Sequence, residues 1–403
     1  MSVAAPAHLV LTSEARLWRT PDGCHWGATA FGYAEWARYL AVFDRTTLLA
    51  RVAPRTEPPV GTVRVDGAGV CVSGLTPYSG PIGFATAVPR LTMELRRRVS
   101  AASSLLVQVP SPIGGLALRS ARAGRPYGVE VKGDPYDVLA PGVVQHPLRP
   151  LLQRTAARQL RRQCSAAAVA IYVTRDALQR RYPVGAAGQA FVASNVMLDD
   201  DAFVADRQTG TRVGRPLRIA TVGSLAQRYK GVDVLIDAVS GLAALGLHVH
   251  LDVVGAGRYL PELQAQAGLL CVGEYVTFHG ELDRQGVRAV LDGADLFVLA
   301  SRTEGLPRAL LEAMARSLPC VGTNVGGVPE LLQEQYLART GDPLALRDRI
   351  LDVLRDPDAL AALGRRNQEV ARGYRSQVLQ DAREKAYSRL LEVTARRDAM
   401  SRR

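Results

Sequence analysis

Two carboxylates bracket a turn in SRTEGLPRALLEAMA, residues 301–315: Glu304 precedes Gly305-Leu306-Pro307-Arg308 and Glu312 follows it. An acid near a helix start offsets the macrodipole and caps free N–H groups, so either one alone is ordinary. Pro307 suits a first helical turn. From there to Glu312 an α-helix rises roughly 7–8 Å, about the reach of a diphosphate. Backbone N–H groups between Gly305 and Arg308 would face phosphates held between the two acids. Two plainer readings stay open: a helix cap for Glu304, and an i,i+4 pair with Arg308 for Glu312.

Other stretches of the second half carry similar chemistry. In ATVGSLAQRYKGVDVLI an apolar run ends at Gly223-Ser224, and a short loop delivers Arg228 and Lys230 just before a helix start at Gly231. Cations at a helix N-terminus favour a phosphate, without the Walker spacing. Taken alone, a surface loop with two cations is the simpler reading. Gly255-Ala256-Gly257 begins like a dinucleotide fingerprint, but Leu260 stands where the third glycine belongs. Gly255 then marks a tight turn where backbone approaches a ligand or a neighbouring helix. GTNVGGVPELL, 322–332, offers a Gly-Gly turn of the same kind.

Elements must position these groups. In the second half LRIATVG, HVHLDVVG, VTFHG, DLFVLAS and PCVGT read as strands, each followed by a helical pattern. In GVDVLIDAVSGLAAL, Val232, Leu235, Ile236 and Val239 share one face. The helix after Pro307 should turn Ala309, Leu310, Ala313, Met314 and Ser317 inward. In the first half HLVLT, TTLLARV, SLLVQVP, GVEV and AVAIYVT read as strands, with helices over GATAFGYAEWARYLAVF and PLRPLLQRTAARQLRRQCSAAA. PRTEPPVGTVRVDGAGVCVSG suggests a hairpin or irregular strand pair. The segment 199–216 lacks an apolar run and reads as a linker. The expectation is α/β architecture: two doubly wound, Rossmann-like domains, 1–205 and 206–375, then a helical tail 376–403 packing back toward the first. In such sheets ligands bind outside the carboxyl ends of the strands, here in the cleft between domains.

Composition narrows the class. At 47% hydrophobic and 22% charged residues the chain is globular rather than disordered. The five cysteines, at 24, 71, 164, 271 and 320, form no close pairs and read as core fillers in a reducing cytosol. No stretch reads as a signal peptide or a bilayer-spanning helix. Part of the net charge of +12 comes from arginines spread over the whole chain, and part gathers at ELRRRVS, RTAARQLRRQ and ARRDAMSRR. Such runs suit an anionic substrate or an anionic membrane surface. Nucleic acid is disfavoured, since no DNA- or RNA-binding motif accompanies the charge.

Together VGSL…YKG, VVGAG, VTFHG, SRTEGLPRALLEAMA and TNVGGVPELL, in this order and spacing, resemble the family-4 retaining glycosyltransferases of GT-B fold. The likeness is dense from about Leu217 to Leu332. In the first half it extends only to architecture and to patches such as VEVKGDPYDV and SNVMLDDDAF. The resemblance implies transfer of a sugar from a nucleotide diphosphate, UDP- or GDP-linked, with retention and without a metal or other cofactor. It implies that Glu304 meets sugar hydroxyls and Glu312 the ribose. Lys230, with Arg228, would neutralise the leaving diphosphate; Gly223, Ser224, Gly255, Gly305, Leu306, Pro307 and Arg308 would complete the donor site. Ser224 departs from the pattern, since many members have arginine there.

For the first domain the family implies an acceptor-binding role, with a histidine or acid at a strand end near the sugar. Candidates are Asp22, Gly23 and His25 in TPDGCHWG, and Lys132, Asp134 and Asp137 in VKGDPYD; Asp134 ranks first and His25 second. The function so implied is assembly of a polysaccharide or glycolipid on a saccharide or lipid-linked acceptor. It would take place in the cytoplasm or peripherally on the inner face of the plasma membrane. The alternatives are a non-catalytic nucleotide-sugar-binding scaffold of the same fold and a transferase acting on a small-molecule natural product. An epimerase would need other acids and a phosphorylase a lysine-bound cofactor; the broken fingerprint after Gly257 disfavours a dehydrogenase.

Overall fold

The computed structural model describes residues 6–100, 104–121, 124–139, 148–204, 215–355 and 357–401. The first sheet contains β1 (His8–Arg19), β2 (His25–Ala28), β3 (Arg45–Pro54), β4 (Thr62–Arg64), β5 (Val70–Leu75), β6 (Ser104–Val109), β7 (Gly128–Val131), β8 (Val169–Tyr172) and β9 (Gln189–Val192). Its parallel body runs β5-β3-β1-β6-β7-β8-β9; β2 and β4 add antiparallel at the end of β1. The second sheet, β10 (Leu217–Val222), β11 (Val249–Val254), β12 (Val276–Gly280), β13 (Leu296–Leu299), β14 (Cys320–Thr323) and β15 (Leu337–Ala338), is parallel throughout, in the order β12-β11-β10-β13-β14-β15.

In the first half the helices are α1 (Tyr33–Ala37), α2 (Gly80–Ser100), α3 (Pro112–Ser120), α4 (Pro135–Val138), α5 (Arg149–Ser165) and α6 (Ala177–Arg181). In the second they are α7 (Val232–Ala244), α8 (Leu260–Leu269), α9 (Arg284–Gly293), α10 (Arg308–Ala315), α11 (Pro343–Leu354), α12 (Pro357–Arg372) and α13 (Ser376–Ser401). Both faces of each sheet are covered. β11, β13 and β14 are mostly apolar because parallel strands are buried on both sides, whereas β12, at the edge, is only partly buried.

Several sequence expectations need correction. The stretch 27–43 is not one helix: β2 starts it, and α1 is followed by a 3₁₀ turn at Arg38–Ala41. Its apolar residues serve more than one element, so helical periodicity misled. β4 and β5 do not form a hairpin ladder; β4 pairs β2, while β5 lies parallel to β3. Pro307 is the cap of α10 rather than part of it, and Leu311 is fully buried where only Leu310 was expected. The proposed boundary at 205/206 and the linker from 205 to 214 lie outside the described residues.

Two crossings join the halves, and they hydrogen-bond to each other. Leu198 N–H donates to the Tyr374 carbonyl and Ser376 N–H to the Leu198 carbonyl, both at 2.9 Å. After the second crossing α13 lies on the first sheet, where Ala386, Tyr387 and Leu390 join the buried cluster of Leu9, Leu11 and Trp36.

Candidate active site

The C-terminal edges of the sheets meet. Thr174, just after β8, lies against Gly327, just after β14. A Cβ placed on Gly305, after β13, would stand 3.9 Å from the carbonyl oxygen of Lys132, after β7. Glu330 adds a firmer link. Its carboxylate accepts the N–H groups of Arg175, Asp176 and Ala177 at 2.5, 3.1 and 2.7 Å, so an acid of the second half caps the start of α6 in the first.

At this junction sits a buried ion pair. Lys230 Nζ donates to Glu304 Oε1 at 2.7 Å, and Ser301 Oγ donates to the same oxygen at 2.6 Å. The Lys230 and Glu304 side chains are 17% and 8% exposed, so the pair is shielded from bulk water. Its position follows from glycines. The stem of Lys230 lies along Gly223, where a Cβ would come within 3.0–3.2 Å of Cγ, Cδ and Cε. Gly231, at φ 68°, caps α7 and brushes the Ala300 carbonyl. Gly255, at φ 140°, lies on the Gly223 carbonyl, and Gly326, at φ 50°, on that of Glu304. These strand-end loops stack backbone on backbone, which any side chain would prevent.

What the pair leaves open is as informative. Glu304 Oε2 accepts no hydrogen bond among the described residues, and the neighbouring Thr303 hydroxyl is buried without a partner. Neither α7 nor α10 has a cap bond from its N-cap side chain; Asp233 lies over the first turn of α7, while the start of α10 offers N–H groups to an incoming anion. That combination suits an anion flanked by hydroxyls.

Glu312 lies one turn into α10, lining a cavity of about 120 Å³ with Leu198, Val287, Arg284, Arg288 and Arg308. It makes no ion pair with Arg308, so the i,i+4 alternative is not realised. Burial pushes its carboxyl above the usual glutamate range, opposed by Arg308, Arg284 and Arg288. Two of these arginines are held by the first crossing: Arg284 by Asp199 at 3.0 Å and Arg288 by Asp201 through two bonds at 2.9 and 2.7 Å. Because its folded pKa is raised, Glu312 costs stability as pH climbs from the ordinary glutamate range through the raised value, and that cost persists above. Glu312→Gln should therefore raise the melting temperature by about 1–2 °C in mildly alkaline buffer and have no effect below the glutamate range; paired thermal scans at the two pH values check the sign.

Other sequence candidates fall elsewhere. Arg228 pairs with Glu262 beside Tyr259 on the surface, away from Lys230's partner. Ser224 Oγ accepts the Ala226 N–H within its own loop. Leu306 and Pro307 are buried and Arg308 exposed. Asp134 is enclosed by first-half partners: the Tyr182 hydroxyl at 2.6 Å, the Tyr136 N–H at 2.9 Å and Arg181. His25 is buried with its Nδ1 2.7 Å from Asp66, while Asp22 and Gly23 form the turn ahead of β2. The Asp137 side chain lies outside the described residues. Lys132 sits at the junction, its Nζ 3.6 Å from the buried Glu130. Ser301 was missed as a site residue although it stands in the same motif, three places before Glu304.

Comparison with known proteins agrees with this geometry. Residues 216–356 match the family described as Glycosyl transferases group 1. Protein CapJ of Staphylococcus aureus is 26% identical over 369 residues, covering 88% of this chain and 89% of the relative. The putative colanic acid biosynthesis glycosyltransferase WcaL of Salmonella typhimurium is 32% identical over 177 residues, 41% of this chain and 43% of the relative. Among solved structures, Anabaena HepE in complex with UDP-glucose superposes with a TM-score of 0.63 at 19% identity, covering 94% of this chain and 99% of that one. The second half thus contains a glycosyl transferases group 1 domain, and the chain is a glycosyltransferase of GT-B fold.

Proposed function

We propose that the protein moves a sugar from a nucleoside-diphosphate donor, UDP- or GDP-linked, to a saccharide or lipid-linked acceptor, with retention at the anomeric carbon, in polysaccharide or glycolipid assembly. The observation that carries this is the Lys230–Glu304–Ser301 cluster beside the uncapped start of α10. Glu304 Oε2 accepts a donor-sugar hydroxyl. Lys230 and the first-turn N–H groups of α10 meet the diphosphate and stabilise the charge it gains on leaving, without reorganising water. Glu312 accepts from the ribose hydroxyls. The partial likeness to WcaL, whose name places it in colanic acid biosynthesis, supports the pathway class. No metal or cofactor enters this scheme.

A thermal-shift panel of UDP- and GDP-sugars tests the proposal, since a ligand that binds only the folded state raises its melting temperature. At least one donor should shift the wild type and fail to shift Glu304→Ala; a folded protein indifferent to the whole panel would contradict the reading. The acceptor side is proposed to rest on an anionic membrane. α5 carries five arginines and no acid, and Leu148, Leu151 and Leu152 are exposed along its first turns. Sedimentation with phosphatidylglycerol vesicles should fall as salt rises; salt-independent or absent sedimentation removes the membrane from the scheme. No helix among the described residues is long and apolar enough to cross a bilayer.

A further inference from the structure

β1 has twelve residues, but β6 meets only Leu9 through Thr12. After a register shift between Thr12 and Arg16 the strand continues, with β3 on one side and β2 on the other, and β4 joins β2. These four strands form an arm rising past the C-terminal edge of the sheet. β1 lies three strands from β8, after which the Glu330 contact is made, so the arm stands at the open end of the junction.

One face of the arm is closed. Ala15, Leu17 and Val65 are buried with Trp36, and Gly27 leaves room for Leu17 and Val65. The other face carries two tryptophans. Cross-strand register sets Trp18 directly opposite Trp26, and Trp26 opposite Arg64, so all three point the same way. Both indoles are half-buried, and Arg16, two residues before Trp18 on the same face, is exposed. Trp26 is fixed at its edge: Nε1–H donates to Thr20 Oγ1 at 3.0 Å, and that hydroxyl donates to the exposed Asp22.

We propose that this face is a saccharide-binding platform that holds the acceptor glycan, a reading that rests on the glycosyltransferase assignment. A pyranose presents C–H groups on its faces and hydroxyls at its rim. The electron-rich indole faces attract the first, and the amphipathic ring tolerates one dry and one wet side. Arg16, Arg64 and Asp22 supply both donors and acceptors for the second. Rim charges of both signs fit a polyhydroxylated chain rather than a lipid surface, which calls for one sign. The arm thus holds a glycan on the side of the sheet from which the junction opens.

The platform has a direct optical readout. The chain contains three tryptophans, and Trp36 is 1% exposed in the core, so changes in indole emission on ligand addition report chiefly on this face. Titration of the full-length protein with short oligosaccharides, neutral and uronic-acid-bearing, should give a saturable emission change for at least one. Trp18→Ala, which keeps Trp26 as the reporter, should weaken that oligosaccharide's binding by about tenfold. Trp18→Phe, which preserves a cross-strand aromatic pair, should fall between; it serves if the alanine variant loses its fold. A wild type blind to every oligosaccharide overturns the platform, as does a folded Trp18→Ala protein that binds as tightly as wild type. Failure here alongside a positive nucleotide-sugar shift removes the platform alone; failure of both removes the assignment beneath it.

Discussion

Lys230→Met lowers the transfer rate by about 10²–10³, the usual consequence of removing one preorganised electrostatic group from a site where charge develops. Methionine keeps the unbranched stem that lies along Gly223, so the loop is not undercut. It also leaves Glu304, only 8% exposed, without its cation. Removing one member of a buried pair costs about 3–5 kcal/mol because the other charge is stranded. The single variant should therefore melt earlier as well as turn over slowly. The double variant Lys230→Met, Glu304→Gln separates the two effects. With no charge left to strand, it should recover most of the lost melting temperature and none of the activity. Steady-state transfer assays and thermal scans on wild type, both singles and the double complete the cycle. Recovery of activity in the double would mean that the pair is a structural strut.

Gly326→Ala should be nearly as damaging although it removes no functional group. At φ 50° a Cβ is strained, and here it would lie 1.8 Å from the Glu304 carbonyl oxygen. Backbone must move, and the backbone that moves carries Glu304. A cost of about 2–3 kcal/mol is expected, lowering the melting temperature by several degrees. Donor affinity should fall at the same time, because Gly327 N–H, one residue on, holds the Gly305 carbonyl at 2.8 Å. Gly341→Ala is the control: its φ is 73° but a Cβ there meets nothing within 4 Å. It should cost stability through strain alone and leave the donor shift intact. Equal loss of donor binding in both variants would show that the Gly326–Glu304 contact does not set the site.

The second half was more legible than the first, for a physical reason. Its strands are parallel and the central ones are buried on both faces, so LRIATV, HLDVV and LFVL are mostly apolar rather than alternating, and its loops announce themselves with glycines that stacked backbones require. In the first half β1 becomes alternating beyond Ser13, where one face turns outward as the arm, so the apolar run HLVLT marks only its first part. Across 27–43, Trp36 and Tyr39 are buried while Ala28 to Ala30 are exposed, and no single period describes both.

Within the site, Lys230 and Glu304 stand out because each lies in the loop that follows a strand, yet their contact spans 74 residues and depends on β10 and β13 being neighbours. Asp134 shows the reverse. A strand-end acid looks the same whether it meets substrate or a structural arginine, and Arg181, 47 residues away, is invisible from VKGDPYD. Arg228 likewise could not be separated from Lys230 until Glu262 was seen beside it.

The returning helix α13 has a consequence for how the chain is made. Ala386, Tyr387 and Leu390 fill a core whose other members, among them Leu9, Leu11 and Trp36, are translated well before them. Until α13 is synthesised, that face of the first sheet is covered only in part, by Trp36, Tyr39 and Phe43, while the second sheet already has all its strands. Domains generally complete themselves from the N-terminus onward. Here the order is inverted: the half made first finishes last, and a nascent chain arrested before α13 exposes the apolar face that quality control recognises.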